Sequence, residues 1–540
     1  MRLDRAGLMA RLAEPRTWDL AVVGGGATGL GVALDAAARG LSVVLLESHD
    51  FAKGTSSRAT KLLHGGVRYL AQGNVALVRE ALRERSTILR NAPHLARPLA
   101  FVMPAYRWWE QPFYGLGLKA YDALAGAAGL GRTQWLNAAE VREALPTVQP
   151  QGLRGGVKYW DAQFDDARLA IALARTAAAH GALLINHCAV TGLLHEAGRV
   201  QGLQCQDAET GARVQLRARC VVNATGVWVD DLRGHDAQGR GESARALVAP
   251  SQGLHLVVDR DFLPGGHALL VPRTRDGRVL FAVPWLGKVI LGTTDTPRED
   301  RSYEPRPLAG EADFILREAA GVLARAPTAA DVRSAWVGLR PLVRPESLAP
   351  HGDPAGGRQA AGGAGSAAST AGLSREHTIA VSPSGLVTVT GGKWTTYRSM
   401  ALDVIRHCVA QGLLMCDKKE VTANLPLVGA DTDAAAQAAG PLPAGLAAYG
   451  SEAAAVQALP GADRWLAPDL SEAMVRFAAR HEQARTVEDM LARRSRLLFL
   501  DAALAAQAAP RVAAILQDET GVDPQRAAFA ELARSYAGLG

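Results

Sequence analysis

Three glycines, Gly24, Gly26 and Gly29, stand at G-x-G-x-x-G spacing in DLAVVGGGATGLGVALDAAARGLSVVLLE (19–47), a pattern suited to binding a dinucleotide. The first allows a tight turn, the second lets a pyrophosphate approach the backbone, and the third lets a helix pack close to a strand. Gly25, Ala27 and Thr28 complete the turn, where free N–H groups and the positive helix end attract an anion. Glu47 closes the next apolar run and is placed to bond a ribose hydroxyl. Two later motifs favour FAD over NAD. Ala224, Thr225 and Gly226 end a strand with small residues, as if backbone passes close to something flat. Gly391, Gly392 and Lys393 do likewise, then open a helix through Trp394 and Thr395 whose dipole can face the electron-rich edge of a flavin. Two histidines are candidate proton acceptors, since an ordinary imidazole titrates at about 6.5. His64 precedes Gly65 and Gly66; His255 sits in SQGLHLVV, where a satisfied core histidine is the competing reading.

These residues need elements to position them. Asp19 to Val23 reads as a buried parallel strand, and Leu30, Ala33, Leu34 and Ala37 carry helical spacing. Gly40 suits a left-handed cap, and Leu41 to Leu46 forms the second strand. Residues 53–70 read as a loop entering a helix, and 74–92 as an amphipathic helix. A helix over Ala167–His180 precedes apolar runs at 182–195, 198–205 and 213–223, spaced as strand, hairpin and return strand. Short runs over 246–294, broken by Pro and Gly, predict a separate antiparallel sheet and a substrate platform. Residues 352–373 are low in complexity and predict a mobile surface loop. From about 416 the periodicity turns helical, predicting a separate domain.

Composition narrows the function classes. With 540 residues the chain has ample core for two or three domains. No apolar window is long enough for a membrane-spanning helix, and residues 1–18 are too polar for a secretory signal, reading as a solvated lead-in ahead of the alternative, a short basic amphipathic helix. Five cysteines without a CxxC pair argue against structural zinc or a disulfide framework, and no metal ligand set is expected. A net charge of +6, scattered along the chain, makes nucleic acid a poor partner.

The set GGGATGLG, TSSRATKLLHGGVRYL, FDDARL, NATGVWV, GTTD, GLRPL and GGKWTTYR resembles the FAD-dependent, respiratory-type glycerol-3-phosphate dehydrogenases. TVEDMLARRSRLLFLDA (486–502) resembles that family's helical C-terminal domain. The resemblance implies an α/β fold: a Rossmann-like FAD-binding domain of the glutathione-reductase/D-amino-acid-oxidase type, an antiparallel-sheet substrate domain and an α-helical C-terminal domain. The corresponding boundaries are 17–98, 151–235 and 374–412 for the first, 99–150 and 236–350 for the second, 351–373 for the insertion and 416–540 for the tail. It also implies that Thr55, Ser56, Ser57, Lys61, Leu63, His64, Gly65 and Gly66 join the cofactor set named above.

A phosphate monoester is close to a dianion at neutral pH and calls for several cations, preferably Arg. Arg68, Arg340 and Lys393 sit in apolar or glycine-rich settings, and the resemblance assigns them, with Tyr69, to sn-glycerol 3-phosphate. Thr293 is expected to offer it a hydroxyl, and His255 is favoured over His64 as the base, with Arg340 and Lys393 assisting. The implied reaction oxidises the ester to dihydroxyacetone phosphate with electrons passing to quinone. Peripheral attachment to the cytoplasmic face of the cell membrane follows, with the aromatic stretch 106–121 as the candidate surface. Alternatives are an oxygen-using glycerol-3-phosphate oxidase, an amine or amino-acid oxidase, and a non-catalytic flavin-binding membrane adaptor. No calcium-loop motif follows the tail, and the oligomeric state stays open, a homodimer among the options.

Overall fold

The computed structural model describes residues 4–66, 74–275, 277–344, 376–430 and 444–539. The low-complexity insertion therefore lies outside the described residues. Thr17–Val23 forms the middle strand of an eight-stranded sheet, paired in parallel with Val43–Leu46 on one side and Arg213–Asn223 on the other. Leu183–Ile185 and Val387–Gly391 extend the parallel part. The hairpin of Cys188–Glu196 and Arg199–Asp207 and the strand His377–Val381 pair antiparallel at its margins. The central strands are almost wholly apolar because both their faces are covered. Helix Ala27–Ala38 covers one of them and packs against Asp166–Ala179 and Tyr397–Ala410. It stops where expected: Gly40 takes φ +85°, and Leu41 N–H donates back to the Ala36 carbonyl at 3.2 Å.

The second sheet has ten strands, nearly all antiparallel. Its long strand Val248–Asp259 pairs with Lys288–Gly292 and with Ser334–Val343. Gly155–Phe164, expected with the nucleotide-binding part, belongs to this sheet instead, where it pairs with Ala96–Ala105 along its whole length. The region read as loop entering helix contains a short strand, Leu62–Leu63, on the same sheet. The segment after the first βαβ unit thus passes from one sheet to the other.

The helical tail, expected as a separate domain, packs closely on the second sheet: Leu498, Phe499 and Tyr536 share one core with Trp285 and Trp336. Its helices Glu472–His481, Ala502–Thr520 and Arg526–Ala537 accompany a π-helical turn at Asp489–Arg494. At the chain start the favoured solvated lead-in is corrected to the helical alternative. Asp4 caps a helix, Arg5–Ala13, that buries Leu12 and pairs Arg5 with Asp207. Among the described residues no helix is long and apolar enough to cross a membrane.

Candidate active site

The carboxyl ends of Thr17–Val23, Val43–Leu46, Arg213–Asn223 and Val387–Gly391 open together into one cavity of about 460 Å³. This is where an open parallel sheet places its ligand. Gly24, Gly26, Ala27, Thr28 and Glu47 line it at one end, and Thr55, Ser56, His64, Ala224, Thr225 and Gly226 line it further on. Gly392, Lys393, Trp394 and Thr395 complete the wall ahead of helix Tyr397–Ala410.

Glycine is required at specific points of this cradle. A Cβ on Gly24, held at φ +106°, would lie 2.7 Å from the Ala224 carbonyl oxygen, and one on Gly29 would lie 2.0 Å from the Gly24 carbonyl. The strand, the turn and the helix start therefore approach as closely as backbone allows, leaving the mouth of the turn for a ligand. The loop 52–60 closes over the helix start. Ser56 Oγ accepts from Ala27 N at 2.9 Å, the Ser56 carbonyl accepts from Trp394 Nε1 at 2.8 Å, and Thr55 Oγ1 donates to the Leu339 carbonyl at 2.6 Å. Glu47 Oε2 accepts from Gly25 N at 2.7 Å, which fixes the carboxylate beside the glycine turn. The donor set and the glycine cradle fit a flavin dinucleotide.

Several residues assigned from sequence support this wall without forming it. Gly25 and Gly29 serve backbone packing. Leu63 is fully buried in the core, and the Gly65 N–H donates to the Tyr121 hydroxyl at 2.9 Å. Gly66, at φ +78°, is likewise off the cavity surface. Lys61 and Ser57 are corrected: Lys61 is 0% exposed beneath the loop, where its Nζ donates to the Ser57 carbonyl and to Asp166, each at 2.7 Å. A cation pointing into the interior needs an internal counter-charge, and Asp166 provides one.

The other end of the cavity is built on the antiparallel sheet. His255 and Arg340 both line it, on neighbouring strands. The imidazole stacks on Trp336 with centroids 4.0 Å apart, and its Nε2 lies 3.0 Å from Thr60 Oγ1. Burial, reinforced by Arg340 and then by Lys61, holds its pKa well below 6.5, so the ring is neutral. The Arg340 guanidinium donates to the Gln252 carbonyl at 3.1 Å and the Thr294 carbonyl at 3.0 Å, with Asp295 Oδ1 at 3.3 Å. Thr293 is off the cavity wall; its Oγ1 accepts from Arg340 at 3.3 Å. Gly253 makes room for both, because a Cβ there would come within 2.3 Å of Arg340 Nη2 and 2.5 Å of Thr293 Oγ1. Arg68 and Tyr69 lie outside the described residues.

Sequence reasoning missed Thr60, Trp228, Tyr303 and Lys53 on the cavity wall. Thr60 and Trp228 stood inside motifs already singled out. Tyr303, which stacks on Trp228 at 4.3 Å, comes from an irregular loop without any local signal.

The parallel sheet, the glycine cradle and the adjoining antiparallel platform define a flavoprotein oxidoreductase. Residues 19–398 match the model for FAD-dependent oxidoreductases, and residues 420–527 match the C-terminal domain of α-glycerophosphate oxidase. The chain is 38% identical to human mitochondrial glycerol-3-phosphate dehydrogenase, over 96% of this chain and 73% of the relative. It is 39% identical to the mitochondrial glycerol-3-phosphate dehydrogenase of Arabidopsis thaliana, over 94% and 84%. A crystal structure of glycerol-3-phosphate dehydrogenase from Bacillus halodurans complexed with FAD superposes with TM-score 0.76 at 28% identity, covering 99% of this chain and 97% of that one. The chain belongs to the FAD-dependent glycerol-3-phosphate dehydrogenase family, and its cofactor is FAD.

Proposed function

We propose that this protein oxidises sn-glycerol 3-phosphate to dihydroxyacetone phosphate and passes the electrons to a membrane quinone. The observation that carries this reading is a neutral, buried His255 beside the Arg340 guanidinium on one wall of the FAD cavity. When bound, FAD supplies the hydride acceptor at N5.

The protein residues supply the rest. Arg340 is anchored by two carbonyls and is 24% exposed at its side chain, so it can meet a phosphoryl oxygen without reorganising. Arg68, Tyr69 and Lys393 join it in this reading, Lys393 and the following helix start adding positive potential to the same cavity. His255 Nε2 takes the C2 hydroxyl proton. Arg340 by itself opposes that proton; a phosphate dianion offsets the guanidinium charge and raises the basicity of the ring. His64 lines the cavity and is the second candidate.

Anaerobic titration of the flavoprotein, followed by flavin absorbance, tests the substrate. Bleaching by sn-glycerol 3-phosphate but not by glycerol or amino acids is expected. Bleaching by amino acids alone would replace this reading with an amino-acid oxidase. Peroxide yield against quinone reduction then separates an oxidase from a dehydrogenase.

Peripheral attachment at the inner face of the cell membrane is part of the proposal. It is supported by Trp108, Phe113 and Leu116, exposed by 78%, 67% and 72% at or on helix Glu110–Ala125. Lys119 lies on the same helix, its Nζ 4.0 Å from the Trp135 ring, which suits an anionic interface. Replacing all three apolar residues by Ser is expected to release the protein from anionic vesicles while leaving flavin bleaching in solution intact.

A further inference from the structure

The geometry points to the C-terminal domain as a clamp on the cofactor loop, with Arg496 as its positioning residue. Loop 50–58 makes contact with the tail at three successive places. Asp50 is held by Arg493 and Arg494, with Arg494 Nη2 3.0 Å from Oδ1. Lys53 Nζ donates to both Glu488 oxygens, at 2.6 and 2.7 Å. The Ser57 carbonyl accepts from Arg496 Nη2 at 2.7 Å.

The third contact is the most demanding. Arg496 is 1% exposed and sits at φ +64°, just beyond the π-helical turn Asp489–Arg494 that carries Arg493 and Arg494. Its Nη2 also reaches Asp166 Oδ1 at 3.1 Å, and its guanidinium lies 4.3 Å from the Phe499 ring. Two buried cations, Arg496 and Lys61, converge on the same Ser57 carbonyl, with Asp166 as their shared carboxylate. Two positive charges in one dry pocket repel, and Lys61 is pushed down to about 7 by burial first and by Arg496 next. Such an arrangement is a costly way to stabilise a fold. It does fix one backbone carbonyl very firmly.

What that carbonyl controls is the neighbouring residue. Ser56 caps the Ala27 N–H at the dinucleotide turn through its Oγ, and its own carbonyl orients Trp394 on the opposite wall. The same pocket backs the catalytic side: Lys61 Nζ lies 4.7 Å from the Trp336 ring, Phe499 packs on Trp336 at 5.2 Å, and Trp336 stacks on His255. The tail thereby sets the loop that lines the cofactor cavity and the ring that supports the histidine. A metal reading of the adjoining Asp50, His187 and Asp489 is unnecessary, because Arg493, Arg494 and mutual hydrogen bonds occupy those carboxylates.

The test compares Arg496→Gln and Arg496→Lys with Arg480→Gln, which breaks a pair with Glu519 inside the tail and away from the loop. FAD affinity is measured by reconstituting the apoprotein and following flavin fluorescence, with circular dichroism as the check on fold. Arg496→Gln is expected to weaken FAD binding by about tenfold or more, as for a lost charge-assisted hydrogen bond. Arg496→Lys should recover part of it, and Arg480→Gln should lower the melting temperature with FAD affinity within about twofold. The clamp is overturned if Arg496→Gln binds FAD as tightly as the wild type, or if both Gln variants lose affinity in proportion to stability. Should Arg496→Gln fail to fold, Arg496→Lys and Glu488→Gln decide by the same comparison. Because only FAD affinity is read, the outcome is independent of which alcohol is oxidised.

Discussion

Substituting Gly253 by Ala moves a charge without removing one. The residue lies in strand Val248–Asp259 without a left-handed φ, so the backbone accepts alanine. The added methyl would stand 2.3 Å from Arg340 Nη2 and 2.9 Å from its Cζ, where ordinary contact begins near 3.4 Å. The guanidinium must retreat by roughly 1 Å, and a displacement of that size at a substrate-positioning group costs up to about 100-fold in rate. The other obstructed atom is Thr293 Oγ1 at 2.5 Å; both are side-chain ends that can turn aside, so the strand and the flavin site survive. The expected result is a kcat/KM for sn-glycerol 3-phosphate lower by about 30- to 100-fold, roughly 2–3 kcal/mol, carried mostly by KM if Arg340 grips ground state and transition state alike. Steady-state kinetics with a soluble quinone analogue, at matched flavin content, measures it. Arg340→Met should be worse than Gly253→Ala. If Gly253→Ala stays within about threefold of wild type with normal flavin, Arg340 does not position the phosphoryl group.

Two other outcomes follow from the same geometry. Gly29→Ala would drive a methyl to 2.0 Å from the Gly24 carbonyl, which is backbone and cannot step aside, so helix Ala27–Ala38 must lift off its strand. Purified protein should carry well under half the wild-type flavin per chain by absorbance, and full occupancy would contradict the cradle. Half-buried His94 is pushed down to about 4, by desolvation first and Arg168 next, from 6.5 in the unfolded chain. Between these values only the unfolded state takes the proton, so stability is complete above pH 6.5 and falls as pH drops towards 4, by about 3 kcal/mol in all. Urea midpoints at pH 7 and pH 5 should therefore lie closer together in His94→Asn than in the wild type; an unchanged gap would assign the acid sensitivity elsewhere.

How much was legible in the sequence depended on the range of the forces involved. The turn from Val23 to Gly29, the cap at Gly40 and the strand from Arg213 to Asn223 were readable because local sterics and apolar periodicity decide them. Helix Arg5–Ala13 was underrated because its support comes from Asp207 and Glu209, some two hundred residues away. Gly155–Phe164 changed sheets for a similar reason: its local sequence suits either, and only pairing with Ala96–Ala105 chose. Lys61 shows the limit most clearly. Its motif suggested the cofactor, yet a burial far from solvent and the carboxylate of Asp166 direct it inward.

By itself the sequence determined that a dinucleotide turn, small-residue strand ends and cations in apolar settings exist in one chain. It could not say which cation meets which wall. That depended on tertiary packing: Gly253 opening space for Arg340, Trp336 seating His255, and the tail joining the sheet's core to reach Ser57. Electrostatic partners are chosen by distance in space, and in a dry interior an unpaired charge is too costly for any local preference to override that choice.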